Sequence, residues 1–215
     1  MVTPDAERSM STFLGATADL DETALHPHDI VKARVYYMEG YLAASPSGLA
    51  AALKGRQIAQ QAGVKLATTL SDMSMIKFCR AGLDAMVGSN LDFLFCNEEE
   101  AQVWCGTQDL AQMCQQLGQQ AHTVCLTRSA KGSLVIEAGK VTEVAAAKVR
   151  AVDTNGAGDM FAGAFLYAVT HGHNQSQAAW LANQAAGQVV AQYGNRLQQE
   201  QMNHLKAAFE RYAAG

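Results

Sequence analysis

Short apolar runs recur along this chain with helical segments of roughly ten to twenty residues between them, and this alternation limits the fold more than any other feature. Val31 to Tyr41 reads as a strand rich in Val and Tyr, after which Pro46 opens an Ala-rich helix running to Gly63. Val64 to Thr69 is a second apolar run, Ser74 to Met86 has helical character, and Leu91 to Cys96 is a third strand ending in Asn97. Glu98 to Trp104 and Leu110 to Leu117 read as helices and His122 to Thr127 as a fourth strand. Ser133 to Glu137 with Val141 to Ala145 reads as a hairpin around Ala138-Gly139-Lys140. Three helical segments follow: Ala157 to Thr170, Gln175 to Tyr193 and Gln199 to Ala213. Strands joined through helices pair in parallel, because the connection must cross the sheet, and the helices then cover both its faces. The fold class is therefore α/β. In such sheets ligands sit beyond the carboxyl ends of the strands, so the residues just after each strand are the ones to search.

With 215 residues, 49% of them apolar, the chain can bury a substantial core and reads as one domain, with two as the alternative. A formal charge of -4 and scattered Lys and Arg leave no basic stripe, so no nucleic-acid partner is expected. The sequence has no apolar stretch of about eighteen residues and no charged-then-apolar leader; no membrane partner is expected, and the reading is a cytoplasmic protein. Cys79, Cys96, Cys105, Cys114 and Cys125 show no metal-ligand spacing and read as reduced, mostly buried thiols. His26/His28 and His171/His173 stand beside Pro or Gly, without a nearby acidic or Cys partner, and read as solvated turn residues.

The most informative string is Val152-Asp153-Thr154-Asn155-Gly156-Ala157-Gly158-Asp159, which runs straight into the helical Met160-Phe161-Ala162-Gly163-Ala164. Small residues entering a helix let several backbone N–H groups converge where the helix dipole also favours an anion. A carboxylate at that helix start lies beside the bound anion and can accept a proton from an attacking hydroxyl. A bare Gly-x-Gly-Asp is equally compatible with a tight turn and capping aspartates; the complete string is more specific. It resembles the C-terminal signature of the ribokinase family, the PfkB-type carbohydrate and nucleoside kinases. That resemblance implies a three-layer αβα fold with a mostly parallel central sheet, ATP and Mg2+ as cofactors, and a sugar or nucleoside as substrate. It makes Gly156, Ala157 and Gly158 the amide donors of an anion hole around the transferring γ-phosphoryl group, puts Thr154 beside the nucleotide and makes Asp159 the catalytic base. Asp153 and the carbonyl of Asn155 match positions that hold a monovalent cation such as K+ in many members.

Cys96-Asn97-Glu98-Glu99-Glu100, at the end of the third strand, resembles the family's Asn-x-x-Glu motif, with Asn97 and Glu100 as the matching residues. The implied role is to organise Mg2+ and phosphate largely through water, Glu100 being the metal-side residue. The plainer account is a run of acids favoured by the helix dipole. Thr127-Arg128-Ser129-Ala130-Lys131-Gly132-Ser133 resembles the family's Thr-x-Gly-x-x-Gly nucleotide loop, so Thr127, Ser129 and Gly132 are expected at the nucleotide. Ser129 replaces the first glycine, and a β-turn entering a hairpin is the competing account. Ala182-Asn183-Gln184-Ala185-Ala186 matches a helix bordering the adenine pocket in the family, with Asn183 facing it, unless Asn183 is simply a surface amide.

Met1 to Thr12 resembles an internal strand-turn-strand of family members, normally preceded by the first βαβ units and most of a substrate lid. The expectation is a single kinase domain over residues 1–215, with 1–16 as lid or lid-adjacent strands and the N-terminal strands and most of the lid missing. The family's sugar-gripping Asp and its di-glycine motif have no counterpart here. An incomplete chain or gene model is expected rather than a naturally shortened protein, because cutting a twisted sheet uncovers apolar edges. The isolated chain is then expected to be a poor enzyme, since in-line transfer depends on holding the acceptor. The stretch from Ala6 to Ala16 and Tyr37-Met38-Glu39-Gly40-Tyr41-Leu42 look closest to the adenosine-kinase-like branch, where Arg8 would approach phosphate or substrate. Ribokinase- or fructokinase-like sugar specificity and a noncatalytic nucleotide-binding module are the alternatives, and a homodimer is compatible with these residues.

Overall fold

The computed structural model describes Val2, Thr3, Phe13 and residues 15–214. The chain runs α1 (Pro27–Ile30), β1 (Val35–Met38), α2 (Pro46–Gln61), β2 (Lys65–Thr69), α3 (Met73–Phe78), α4 (Arg80–Val87) and β3 (Leu91–Asn97). It continues through α5 (Glu98–Cys105), α6 (Leu110–Leu117), β4 (Ala121–Thr127), β5 (Ser133–Glu137), β6 (Lys140–Val144), α7 (Ala157–Thr170), α8 (Gln175–Val190) and α9 (Gln199–Ala214). The strands pair in chain order, β1-β2-β3-β4-β5-β6. β1 is parallel to β2, with Val35 opposite Lys65, and β2 is parallel to β3, with Ala67 opposite Phe93. β5 and β6 are joined by a two-residue link, Ala138 at φ +49 and Gly139 at φ +77. Two successive left-handed residues make the turn whose twist suits a hairpin. The result is the expected three-layer α/β fold around a mostly parallel sheet.

Two compact units make up the chain. One comprises Phe13–Leu126 with Ile136–Val141; the other is built on Thr127–Val135 and Thr142–Gly215. In the first, β2 and β3 bury Leu66, Ala67, Phe93, Leu94 and Phe95. Helix α2 lies close over β1 because its buried face carries small residues, Ala51, Ala52, Gly55 and Ala59. At Gly55 the Tyr36 hydroxyl occupies the space a Cβ would need, 2.0 Å away. In the second unit, α7 and α8 pack against each other. Their buried faces are Phe161, Ala162, Phe165 and Ala168 on one side, and Ala178, Ala179, Ala182 and Ala185 on the other.

Three expectations are corrected. The strand expected over Val31 to Tyr41 shrinks to four residues, flanked by α1 and a 3-10 turn over Gly40–Ala44. The turn is forced by proximity: a Cβ on Gly40 would lie 2.6 Å from the Thr69 carbonyl. The helix expected over Ser74 to Met86 breaks at Cys79 (φ -123, ψ 25), whose N–H closes α3 on the Met75 carbonyl while its own carbonyl accepts from Leu83. His28 does have an acidic neighbour, with Nδ1 3.3 Å from Asp29 Oδ1. The histidines of the second pair pack on rings: His171 against Tyr167, and His173 against Phe209 at 4.6 Å. All five cysteines are free, with Cys96, Cys114 and Cys125 buried. Among the described residues no helix is long and apolar enough to cross a membrane.

Candidate active site

The chain enters α7 through a turn built by one buried carboxylate. Asp153 is 5% exposed; its Oδ1 accepts from the Asn155 amide at 2.9 Å and its Oδ2 from the Gly194 amide at 3.3 Å. The Val190 carbonyl, at the end of α8, accepts from the amides of Val152 (2.7 Å) and Asp153 (3.2 Å) and so fixes where the turn begins. The Asp153-to-Asn155 bond curls the backbone into Gly156, which caps α7 in the left-handed region at φ +73 and ψ 6. A Cβ there would stand 2.5 Å from Asn195 Cβ, so glycine is required both by conformation and by space.

The first intrahelical bond of α7 is Met160 N–H to the Gly156 carbonyl, 2.9 Å. The Ala157 amide donates to the Thr154 carbonyl at 3.3 Å, closing the turn. The amides of Gly158 and Asp159 have no acceptor among the described residues, and a Cβ added at Gly158 would meet nothing within 4 Å. At the positive end of a fourteen-residue helix, two donors are thus without a partner among the described residues.

Asp159 occupies the third position of α7, where an acid commonly folds back to cap its own helix. Three other helices of this chain do that with a Glu or Gln, among them α9, where Gln201 returns to the Gln198 amide (2.7 Å). In α5 Glu100 returns to the Asn97 amide (3.0 Å), and in α8 Gln177 returns to the Asn174 amide (3.2 Å). In α7 no side chain caps the helix start, and the Asp159 carboxylate is exposed. A capping role therefore does not account for Asp159.

The Thr127 to Ser133 segment lies in the same unit. It is a short 3-10 turn over Ser129–Lys131, closed by Arg128 N–H to the Gly132 carbonyl (2.7 Å) and Gly132 N–H to the Ser129 carbonyl (3.0 Å). Ser129 sits at φ +50, the left-handed conformation that glycine takes without strain. Gly132 lies at φ +89, with the Val144 carbonyl 2.1 Å from where its Cβ would be. Asn183 is no surface amide: it is 7% exposed, and its Nδ2 donates to Ser133 Oγ (3.0 Å) and to the carbonyls of Val144 (3.0 Å) and Ala145 (3.2 Å). It ties α8 to both ends of the β5–β6 hairpin.

Asn97 and Glu100 belong to the other unit. They form a reciprocal capping box, with Asn97 Oδ1 accepting from the Glu100 amide at 2.8 Å and Glu100 Oε1 accepting from Asn97 Nδ2 at 2.7 Å. Glu100 is 5% exposed, so its carboxylate is held in one orientation at the end of β3. Burial pushes the neighbouring Cys96 thiol well above the ordinary thiol range, and the Glu100 charge adds to the effect. Among the described residues no cluster of three His, Cys, Asp or Glu could hold a metal. Arg8 lies outside the described residues. Sequence reading missed Gly194 and Asn195, whose only signal was a glycine following a long helix.

Known proteins share this chain's sequence pattern and fold. The family model described as pfkB family carbohydrate kinase matches residues 1–202. An adenosine kinase of Schizophyllum commune is 27% identical over 211 residues, 87% of this chain and 60% of that protein. Among solved structures, the adenosine kinase from Sinorhizobium meliloti superposes with a TM-score of 0.92 at 32% identity, covering 96% of this chain and 64% of that one. A probable sugar kinase protein from Rhizobium etli CFN 42 gives 0.91 at 34% identity, covering 96% and 63%. The chain therefore spans somewhat under two thirds of the length of these relatives. With its fold and nearly its whole length matched, the chain belongs to the pfkB family of carbohydrate kinases.

Proposed function

We propose that this chain carries the phosphate-handling part of an ATP-dependent kinase, one domain in its working form, that phosphorylates a hydroxymethyl group of a nucleoside or sugar. The acceptor class is that of an adenosine kinase. The observation that carries the reading is the start of α7, where unpartnered amides and an uncapped carboxylate share one exposed turn. The Gly158 and Asp159 amides, joined by the Gly156 amide, hold the oxygens of the transferring phosphoryl group as charge shifts in the transition state, whereas the Ala157 amide, expected among these donors, is taken up by the Thr154 carbonyl. Asp159 takes the proton from the acceptor hydroxyl. That oxygen forms its bond to the γ-phosphorus, the bond from phosphorus to the β-phosphate oxygen breaks, and ADP leaves.

Mg2+, when bound, neutralises charge on the phosphate oxygens. Glu100 fits an outer role toward it through water, because both its oxygens already accept from Asn97. Thr127, Ser129, Gly132, Thr154 and Asn183 are assigned to the nucleotide side, Asn183 by holding the hairpin rather than by an exposed amide. A monovalent cation such as K+ would draw on Asp153 and the Asn155 carbonyl. Each Asp153 oxygen accepts one amide and keeps a further lone pair, so the donor set suits such an ion.

The test is Asp159→Asn in the protein that carries this chain. Turnover should fall by about 10²- to 10⁴-fold, the range for loss of a general base, while ATP affinity stays within about twofold. Activity surviving within tenfold would remove Asp159 from the chemistry. A panel of adenosine, inosine, ribose and fructose identifies the acceptor. The sugar reading is favoured by the Rhizobium etli neighbour and wins if ribose or fructose exceeds adenosine in kcat/KM. ATP binding without phosphorylation of any acceptor would leave a noncatalytic nucleotide-binding module.

A further inference from the structure

Hydrogen bonds from Asn155 to Asp153 and from Ala157 to Thr154 close the α7 turn, but at Gly156 the chain has no side chain of its own to limit its motion. Gly156 has no side chain and occupies φ +73, where glycine is conformationally free. Donors that stabilise a transition state must nevertheless be fixed before the reaction. Stiffness at Gly156 beyond what those bonds supply therefore has to come from a neighbouring segment. Asn195 meets Gly156 on the side where a Cβ would be, with its Cβ 2.5 Å and its Cα 3.4 Å from that point.

The loop bearing Asn195 is itself secured at three places. The Gly194 amide donates to Asp153 Oδ2, the carboxylate that also shapes the turn through Asn155. Gln192 Nε2 donates to the Arg196 carbonyl at 2.8 Å and closes the loop on itself. Gln192 Oε1 accepts from Gln201 Nε2 at 2.9 Å and fastens the loop to α9. The Asn195 carboxamide, by contrast, has no hydrogen bond among the described residues and is exposed. What Asn195 offers the turn is a methylene group, placed by a braced loop.

We propose that Asn195 is a positioning residue of the phosphate turn: its Cβ acts as a stop against Gly156 and keeps the Gly158 and Asp159 amides aimed at the phosphoryl group. This inference rests on the phosphotransfer reading above and adds to it a residue far from the signature string. A turn free to move by about an ångström would cost turnover more than binding.

The experiment compares Asn195→Gly with Asn195→Ala in the protein that carries this chain. Inorganic phosphate is titrated while the Gly158 and Asp159 amides are followed by 15N-resolved NMR. In the unmodified protein and in Asn195→Ala, which keeps the Cβ, both amides should shift together with similar affinity. In Asn195→Gly the affinity should fall roughly fivefold, and kcat should fall about tenfold with the KM for ATP within about twofold. Gly156→Ala should also be less damaging in the Asn195→Gly background than alone, because the steric conflict is relieved. Equal phosphate affinity in Asn195→Gly and the unmodified protein overturns the proposal, and so does an equal loss in Asn195→Ala, which would give the role to the carboxamide. Failure of phosphate to move either amide in the unmodified protein would instead bring down the phosphate-turn reading itself.

Discussion

At Gly132 the backbone adopts φ 89 and ψ -137 with a carbonyl where a side chain would begin, so this residue has no substitute. Gly132→Ala should cost more than about 3 kcal/mol, from strain and from a clash with backbone that cannot move aside, read as a lowered urea midpoint. Three residues earlier the sign reverses. Ser129 endures φ +50, and Ser129→Gly should raise stability by about 0.5 to 1 kcal/mol, the strain released exceeding the added freedom of the unfolded chain. From the letters, Ser129 looked like a departure from a glycine motif; a backbone angle is not written in a residue name, and only the structure shows that Ser129 takes the left-handed conformation open to glycine. The thiols divide in the same local way. Burial holds Cys96 and Cys125 protonated, whereas Cys79 is partly exposed. Iodoacetamide applied to the native protein should modify Cys79 well before Cys96 or Cys125, as peptide mass spectrometry would show; early labelling of Cys125 would contradict its burial.

Helix starts were legible because caps are local. Asn97 with Glu100 and Asn174 with Gln177 each place donor and acceptor three residues apart, and both form reciprocal boxes. The same Asn-x-x-Glu letters also match a family motif, so one pair serves the helix whatever else it serves. Asn183 shows the limit of such reading. Its partners lie 38 to 50 residues away in sequence, and nothing around it announces them. Asn183→Ala leaves the buried Val144 carbonyl and Ser133 hydroxyl, and the part-buried Ala145 carbonyl, without their donor and should destabilise the protein by about 2 to 3 kcal/mol. An unchanged denaturant slope with a lowered midpoint is the expected result; no change in midpoint would mean that water replaces the amide without loss.

Over the whole molecule, alkaline stability follows from groups gathered in one unit. Cys96, Cys125 and Tyr36 all lie within Phe13–Leu126, and burial raises each above its ordinary value, 9.0 for the thiols and 10.0 for the phenol. A raised folded-state value means the native protein holds its proton when the unfolded chain has released it. The stabilisation is therefore complete below about pH 9 and is lost progressively as pH climbs from there toward the folded-state values. Melting temperatures should be level from about pH 7 to 8.5 and fall above about pH 9; a flat profile through pH 10.5 would show that these groups do not titrate differently on unfolding. The alternation of apolar runs and helices determined the α/β class by itself, because periodicity and capping act over a few residues. The signature before α7 likewise marked the turn, since its glycines and aspartates act on their immediate neighbours. Only the tertiary structure decided that Gly194 would bind the Asp153 carboxylate and that Asn195 would press on Gly156. These contacts join positions about forty residues apart, and their meeting depends on how α7 and α8 pack, which no local pattern encodes.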